Sequence, residues 1–132
     1  MSFRLDPATA IKDPHGIHWG MHPIAWRNDD IPEVGAFNTL DDMLLDLADV
    51  GYAGTECAGF FPSKEEVKER AEARGIRIVA HWFSSFILRD GVDVVTKAFE
   101  KNCAYLEYLG ATRIVVSEQT GSVQGVRDVC IF

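Results

Sequence analysis

At four places along this chain an apolar run ends abruptly on a side chain that can titrate or hydrogen-bond. His22 follows Ile17-His18-Trp19-Gly20-Met21, Glu56 follows Gly54-Thr55, His81 and Trp82 close Ile76-Arg77-Ile78-Val79-Ala80, and Glu118-Gln119-Thr120 follow Ile114-Val115-Val116-Ser117. Carboxylates and imidazoles gathered at one mouth can move protons to and from a bound polar substrate, because a water-poor rim strengthens each charged contact. Glu56 stands out, since its strand neighbours are small or apolar and a carboxylate there is costly unless paired or used. Alternation puts Ile114, Val116 and Glu118 on one strand face with the carboxylate at its top, although a buried salt bridge would explain Glu118 equally. His22 is followed by Trp26-Arg27-Asn28-Asp29-Asp30, a polar loop that would border the same mouth.

Other chemistries lack their residues. His18 and His22 share a strand face, but two histidines without a third clear ligand do not define a metal site. There is no Gly-x-Ser-x-Gly elbow, His-Glu-x-x-His helix or phosphate-cradling loop, so nucleophilic hydrolysis and nucleotide chemistry have no support. Cys57 lies beside Glu56, which would raise its pKa rather than activate it. For His81 two orientations stay open, because Ile78-Ala80-Trp82 and Val79-His81-Phe83 are both plausible inner faces. Twenty acidic against thirteen basic residues give a net charge of -7, which repels a phosphate backbone and an anionic membrane. A small neutral or metal-chelated substrate suits this charge better. The three cysteines form neither a disulfide framework nor a Cys-x-x-Cys site, and no apolar stretch reaches membrane-spanning length, so a cytoplasmic location is expected.

The elements that must position these residues alternate. Residues 1–15 carry prolines and scattered charges without periodicity and are read as a lead-in; residues 16–132 form the domain. A strand from Gly16 ends near His22. Leu40, Met43, Leu44, Leu47 and Val50 recur at helical spacing, with Asn38 or Thr39 to cap the helix and Gly51 to end it. Tyr52–Glu56 is a strand, Ser63 opens a charged helix through Arg74, and 76–82 is the clearest strand. A helix over about 94–109 carries Val95, Ala98, Phe99, Cys103 and Leu106 on one face, and Thr112–Ser117 is the fourth strand. Strands joined by single helices run parallel, so their carboxyl ends open on one side. With no dinucleotide fingerprint, an arc of a barrel is the better architecture. A complete (β/α)8 barrel needs about 250 residues, and 132 are present here.

Taken together, His22-Pro23-Ile24-Ala25-Trp26-Arg27-Asn28-Asp29-Asp30, Gly51-Tyr52-Ala53-Gly54-Thr55-Glu56 and Glu118-Gln119-Thr120-Gly121-Ser122 resemble the myo-inosose-2 dehydratases, members of the xylose-isomerase-like barrels, from about Ile17 to Gly125. The resemblance implies the N-terminal half of a (β/α)8 TIM barrel with about four parallel strands. It also implies a hydro-lyase of inositol breakdown that removes water from 2-keto-myo-inositol with a divalent metal, manganese or cobalt. His22, Glu56 and Glu118 would then be catalytic, and Trp26, Asn28, Trp82 and Gln119 would bind the polyol. The alternatives are a sugar isomerase or epimerase of the same superfamily, or a non-catalytic half-barrel that self-associates. The family's metal ligands come from later strands, so no metal ligand is expected here and the chain alone should be inactive. Two departures stand out. Phe60 occupies a position where a lysine is expected, and the tail from Val126 to Phe132 does not look like the family's continuation, as a shifted reading frame would produce. A half-barrel would also expose two parallel edges, which favours homo-oligomers.

Overall fold

The computed structural model describes residues 16–122. The lead-in assigned to 1–15 and the unusual tail from Val126 lie outside the described residues. Within them the order is β1 (Gly20–Met21), a 3-10 turn (Pro23–Ala25), α1 (Leu40–Val50), β2 (Gly54–Glu56), α2 (Lys64–Ala73), β3 (Arg77–Ala80), β4 (Trp82–Ser85), α3 (Ile87–Asp90), α4 (Val92–Tyr108) and β5 (Val115–Glu118). Every strand pairing is parallel: β1 with β2, β2 with β3, and β4 with β5. The architecture is the expected α/β alternation of parallel strands and helices, consistent with half of a barrel.

Helices α1 and α2 begin where capping chemistry starts them. Thr39, not Asn38, caps α1: its hydroxyl accepts the Asp42 N–H while the Asp42 carboxylate accepts the Thr39 N–H, so two otherwise orphaned donors are satisfied. Gly51 ends the helix at φ 92°, a left-handed conformation that glycine adopts without a Cβ clash. Ser63 caps α2 through the Glu66 N–H. Leu40, Met43, Leu44 and Leu47 of α1 meet Val67 and Ala71 of α2, with Ile76, Ile78 and Cys57, in one buried cluster between helices and sheet.

The strand expected over 76–82 is longer and divided. Its first part, β3, pairs with β2, and its second part, β4, pairs with β5. Thr55 pairs with Ile78 and Glu56 with Ala80, so β3 carries one extra residue at this point. The bulge resolves the ambiguity at His81. Ile78 packs in the buried cluster with α1 and α2 and Ala80 is buried, yet the next residue, His81, reaches the helix layer, its Nδ1 lying 2.7 Å from Asn102 Oδ1 on α4, and the Phe83 ring packs edge-on against Phe99 of α4. Neither uninterrupted alternation describes the strand, because the bulge shifts which residues face the helices. Backbone partners follow suit: the Ala80 carbonyl accepts from Cys57 beside β2, whereas the His81 carbonyl accepts from Val115 of β5. Consecutive residues thus serve opposite edges, and the order across the arc is β1, β2, β3/β4, β5.

The inward stripe of α4 also differs from the expected one. Ala98 and Cys103 are exposed, and the packed positions are Val95, Phe99, Asn102, Leu106 and Leu109. A polar residue sits in that stripe because His81 supplies its partner, and a count of apolar residues alone passes over it. The one-turn helix α3 was not anticipated from the pattern.

Replacing Thr39 with alanine removes the cap of α1 and should cost about 1 kcal/mol of stability. Urea unfolding should show a lower midpoint with an unchanged slope.

Candidate functional site

Parallel pairing carries the ends of β1, β2, β4 and β5 to one side of the sheet, and the loops beyond them enclose an open cavity of about 710 Å³. His22, Arg27, Asp29, Glu56, Trp82 and Gln119 are among its lining residues. A smaller cavity of about 190 Å³ lies below, between β1, β2 and Val79, and His22 and Glu56 line both.

The orientation of His22 is set by the backbone. It caps the 3-10 turn, Nδ1 accepting the Ile24 N–H at 3.0 Å. In the neutral ring this assigns the proton to Nε2, which stands 3.5 Å from Glu56 Oε2. Glu56 comes from the last position of β2, one residue beyond Thr55, whose buried hydroxyl donates to the Met21 carbonyl and ties the two strand ends together. The result is an imidazole and a carboxylate facing each other at the cavity wall with the imidazole tautomer defined.

Gln119 lines the cavity, its amide donating to Ser117 Oγ at 2.8 Å, and Trp82 lines it with its indole N–H on Ser84 Oγ at 2.9 Å. Three other predicted residues are placed differently. Glu118 sits at the same end of the sheet but outside the cavity lining: Oε2 accepts from the Ile87 N–H and the Ser85 hydroxyl, and Oε1 from the Thr120 N–H. Thr120 first, with the Ile87 N–H and the Ser85 hydroxyl, holds this carboxyl below the ordinary glutamate value, against an opposing contribution from burial. No buried salt bridge is involved. Trp26, expected to shield the mouth, instead donates from Nε1 to Asp46 of α1 at 2.7 Å and packs against the core cluster. Asn28 directs Oδ1 at the N–H groups of Asp30 and Ile31, forming the loop turn rather than facing the cavity. An amide two residues before a turn finds those donors at no entropic cost beyond the turn itself.

Two residues that the sequence showed only as part of a polar loop prove important for the wall. Asp29 Oδ2 accepts the Gly59 N–H at 2.7 Å, and Arg27 lies 5.0 Å above the Phe60 ring, so the loop after β1 is fastened twice to the loop after β2. The aromatic ring at position 60 gives Arg27 a cation–π partner that a lysine would repel. The only advance signal was their spacing from His22.

Cys57 is buried behind Glu56. Burial chiefly pushes its thiol up to about 11, with the Glu56 charge adding to the effect and a hydrogen bond with Tyr105 opposing it. It is inert rather than nucleophilic, as its place beside Glu56 suggested. Among the described residues no three His, Cys, Asp or Glu side chains come together in a way that could hold a metal ion. His22 and Glu56 offer two donors, and the manganese or cobalt implied by the resemblance finds no third there. Among the described residues no helix is long and apolar enough to cross a membrane.

Fold and site therefore define a parallel α/β assembly with a polar rim at the carboxyl ends of its strands. Over most of its length the chain is similar to inosose dehydratases. It is 47% identical to the inosose dehydratase of Bacillus velezensis over 116 residues, 88% of this chain and 39% of that protein. It is 51% identical to that of Bacillus licheniformis over 110 residues, 83% of this chain and 37% of that one. The inosose dehydratase of Salmonella typhimurium is 48% identical over 117 residues, again 88% and 39%. The chain thus spans about two fifths of the length of the curated relatives it matches. No protein-family model matches it.

Two measurements check the site. At pH 8 an alkylating reagent should modify exposed Cys103 and spare Cys57 until the chain unfolds, read by peptide mass mapping. The Glu118 carboxyl should titrate below 4.5 by NMR. Because the folded state depresses this pKa, the stability it contributes is present at neutral pH and is lost as pH falls through the lowered value.

Proposed function

We propose that the chain supplies the amino-terminal rim of a hydro-lyase of the inosose dehydratase type, eliminating water from 2-keto-myo-inositol. The observation that carries this reading is the His22–Glu56 pair at the wall of a polar cavity, in a chain about half identical to proteins named inosose dehydratase. A dehydration of this kind takes a proton from the carbon next to the ketone and expels the hydroxyl on the following carbon as water, so it needs a base and an acid held within reach of one ring. Glu56 is the carboxylate facing the cavity, and His22 presents its Nε2–H beside it. This pair can hold and return a proton at Glu56 Oε2 or His22 Nε2. Gln119 offers an amide to ring hydroxyls and Trp82 an apolar wall. Glu118, Asn28 and Trp26 act by shaping the rim, since their polar atoms are engaged with backbone or with α1.

A divalent metal would polarise the ketone and stabilise the enolate in the complete enzyme. The steps assigned above are those of this chain's own side chains. The 132-residue chain by itself is expected to give no turnover, and a cytoplasmic setting suits a small polyol substrate.

Replacing the matching segment of the Bacillus velezensis enzyme with residues of this chain should leave an active dehydratase. Glu56→Gln in that chimera should lower kcat by about 10²- to 10⁴-fold. A chimera that folds yet does not dehydrate 2-keto-myo-inositol, or one indifferent to Glu56→Gln, would overturn the assignment.

A further inference from the structure

Most polar side chains on the cavity wall are already engaged. His22 faces Glu56, Asp29 accepts from Gly59, His81 meets Asn102, Trp82 donates to Ser84 and Gln119 to Ser117. Arg27 lines the same cavity and differs from all of them. Its backbone N–H is bonded to the Pro23 carbonyl at 3.1 Å, but among the described residues its guanidinium forms no hydrogen bond and no ion pair. A guanidinium carries several N–H donors in one plane, and a partly buried one keeps them unspent only where water or a ligand can take them.

The position of Arg27 is held by its surroundings. Its guanidinium carbon lies 5.0 Å from the centre of the Phe60 ring, and Phe60 packs against the buried cluster and meets Phe61 edge-on. The bond from Gly59 to Asp29 ties the same two loops together beside this contact. A cation seated on a fixed aromatic ring gives up little freedom when it binds, so its donors are preorganised. Charge narrows what they can meet. Asp29, Asp30 and Glu56 line the cavity, and among the described residues Arg27 is its one arginine or lysine. Three carboxylates against one guanidinium disfavour a carboxylate- or phosphate-bearing ligand and favour an uncharged one with paired oxygens. Neighbouring hydroxyls of a polyol ring are such a pair, and the planar fork can donate to both at once.

We propose that Arg27, seated on Phe60, is a further substrate-binding residue that donates to two neighbouring hydroxyl oxygens of an uncharged polyol ring. This adds a contact to the site assigned above and rests on that reading for the identity of the ring. His22 and Glu56 hold the proton, and Arg27 fixes which way the ring faces them. A lysine at position 27 keeps the charge and the contact with Phe60 but lacks the fork, so it separates polyol binding from the fastening of the loop.

NMR titration of the purified 132-residue chain with myo-inositol, which lacks the ketone and is not dehydrated, tests the proposal. The Arg27 Nε–H and the Gln119 side-chain amide should shift together at millimolar concentration. Arg27→Lys should raise the concentration needed by about 10- to 100-fold. Glucuronate, a sugar ring that carries a carboxylate, should bind more weakly than myo-inositol. No shift at any cavity residue, a Gln119 shift with the Arg27 Nε–H unmoved, an Arg27→Lys chain that binds like the unsubstituted one, or a preference for glucuronate would each overturn it. A chimera that fails to dehydrate 2-keto-myo-inositol while the chain still binds myo-inositol through Arg27 sinks the assigned reaction and upholds this contact, so the two fail separately.

Discussion

A helix that crosses between neighbouring strands of a sheet returns the chain in the direction it came, and this constraint organises the whole molecule. Because β1, β2 and the divided β3/β4 are separated by α1 and α2, and β5 follows α4, every pairing is parallel. The carboxyl ends of all strands therefore open on one side, where His22 and Glu56, thirty-odd residues apart in sequence, come within 3.5 Å. The glycines that end the helices and the Thr39 and Ser63 caps that start them keep each unit short enough for this geometry to repeat.

At the rim, polar side chains face a choice between the backbone and a ligand, and the backbone wins wherever its unsatisfied N–H groups are close. Glu118 serves the start of α3 and the turn at Thr120, Asn28 serves its own loop, and Asp29 bridges to Gly59. An orphaned N–H near the end of a strand or at a turn costs enough to claim any carboxylate within reach. Glu56 escapes this fate because its strand end already has its backbone partners in β1 and β3, leaving the side chain to face His22 and the cavity.

The bulge opposite Thr55 and Glu56 is the second device. One extra residue in β3 shifts its register against β2, so that Glu56 pairs with Ala80, and the next residue, His81, reaches Asn102 of α4. His81 then finds Asn102 and becomes a link between sheet and α4, and both His81 and Trp82 line the cavity.

Much of this was legible in the order of residues. Helical spacing in 40–50, the glycines at 51, 75 and 110, and the strand-like runs between them determined the alternation, hence the parallel sheet and the side on which His22, Glu56, Trp82 and Gln119 gather, because periodicity and capping are local properties. The bulge in β3, the polar stripe of α4, the removal of Trp26 to Asp46 and the capture of Glu118 and Asn28 by backbone donors were decided only by the tertiary structure. Each depends on which partner arrives from a distant segment, and a one-dimensional pattern records a residue's preferences but not its neighbours.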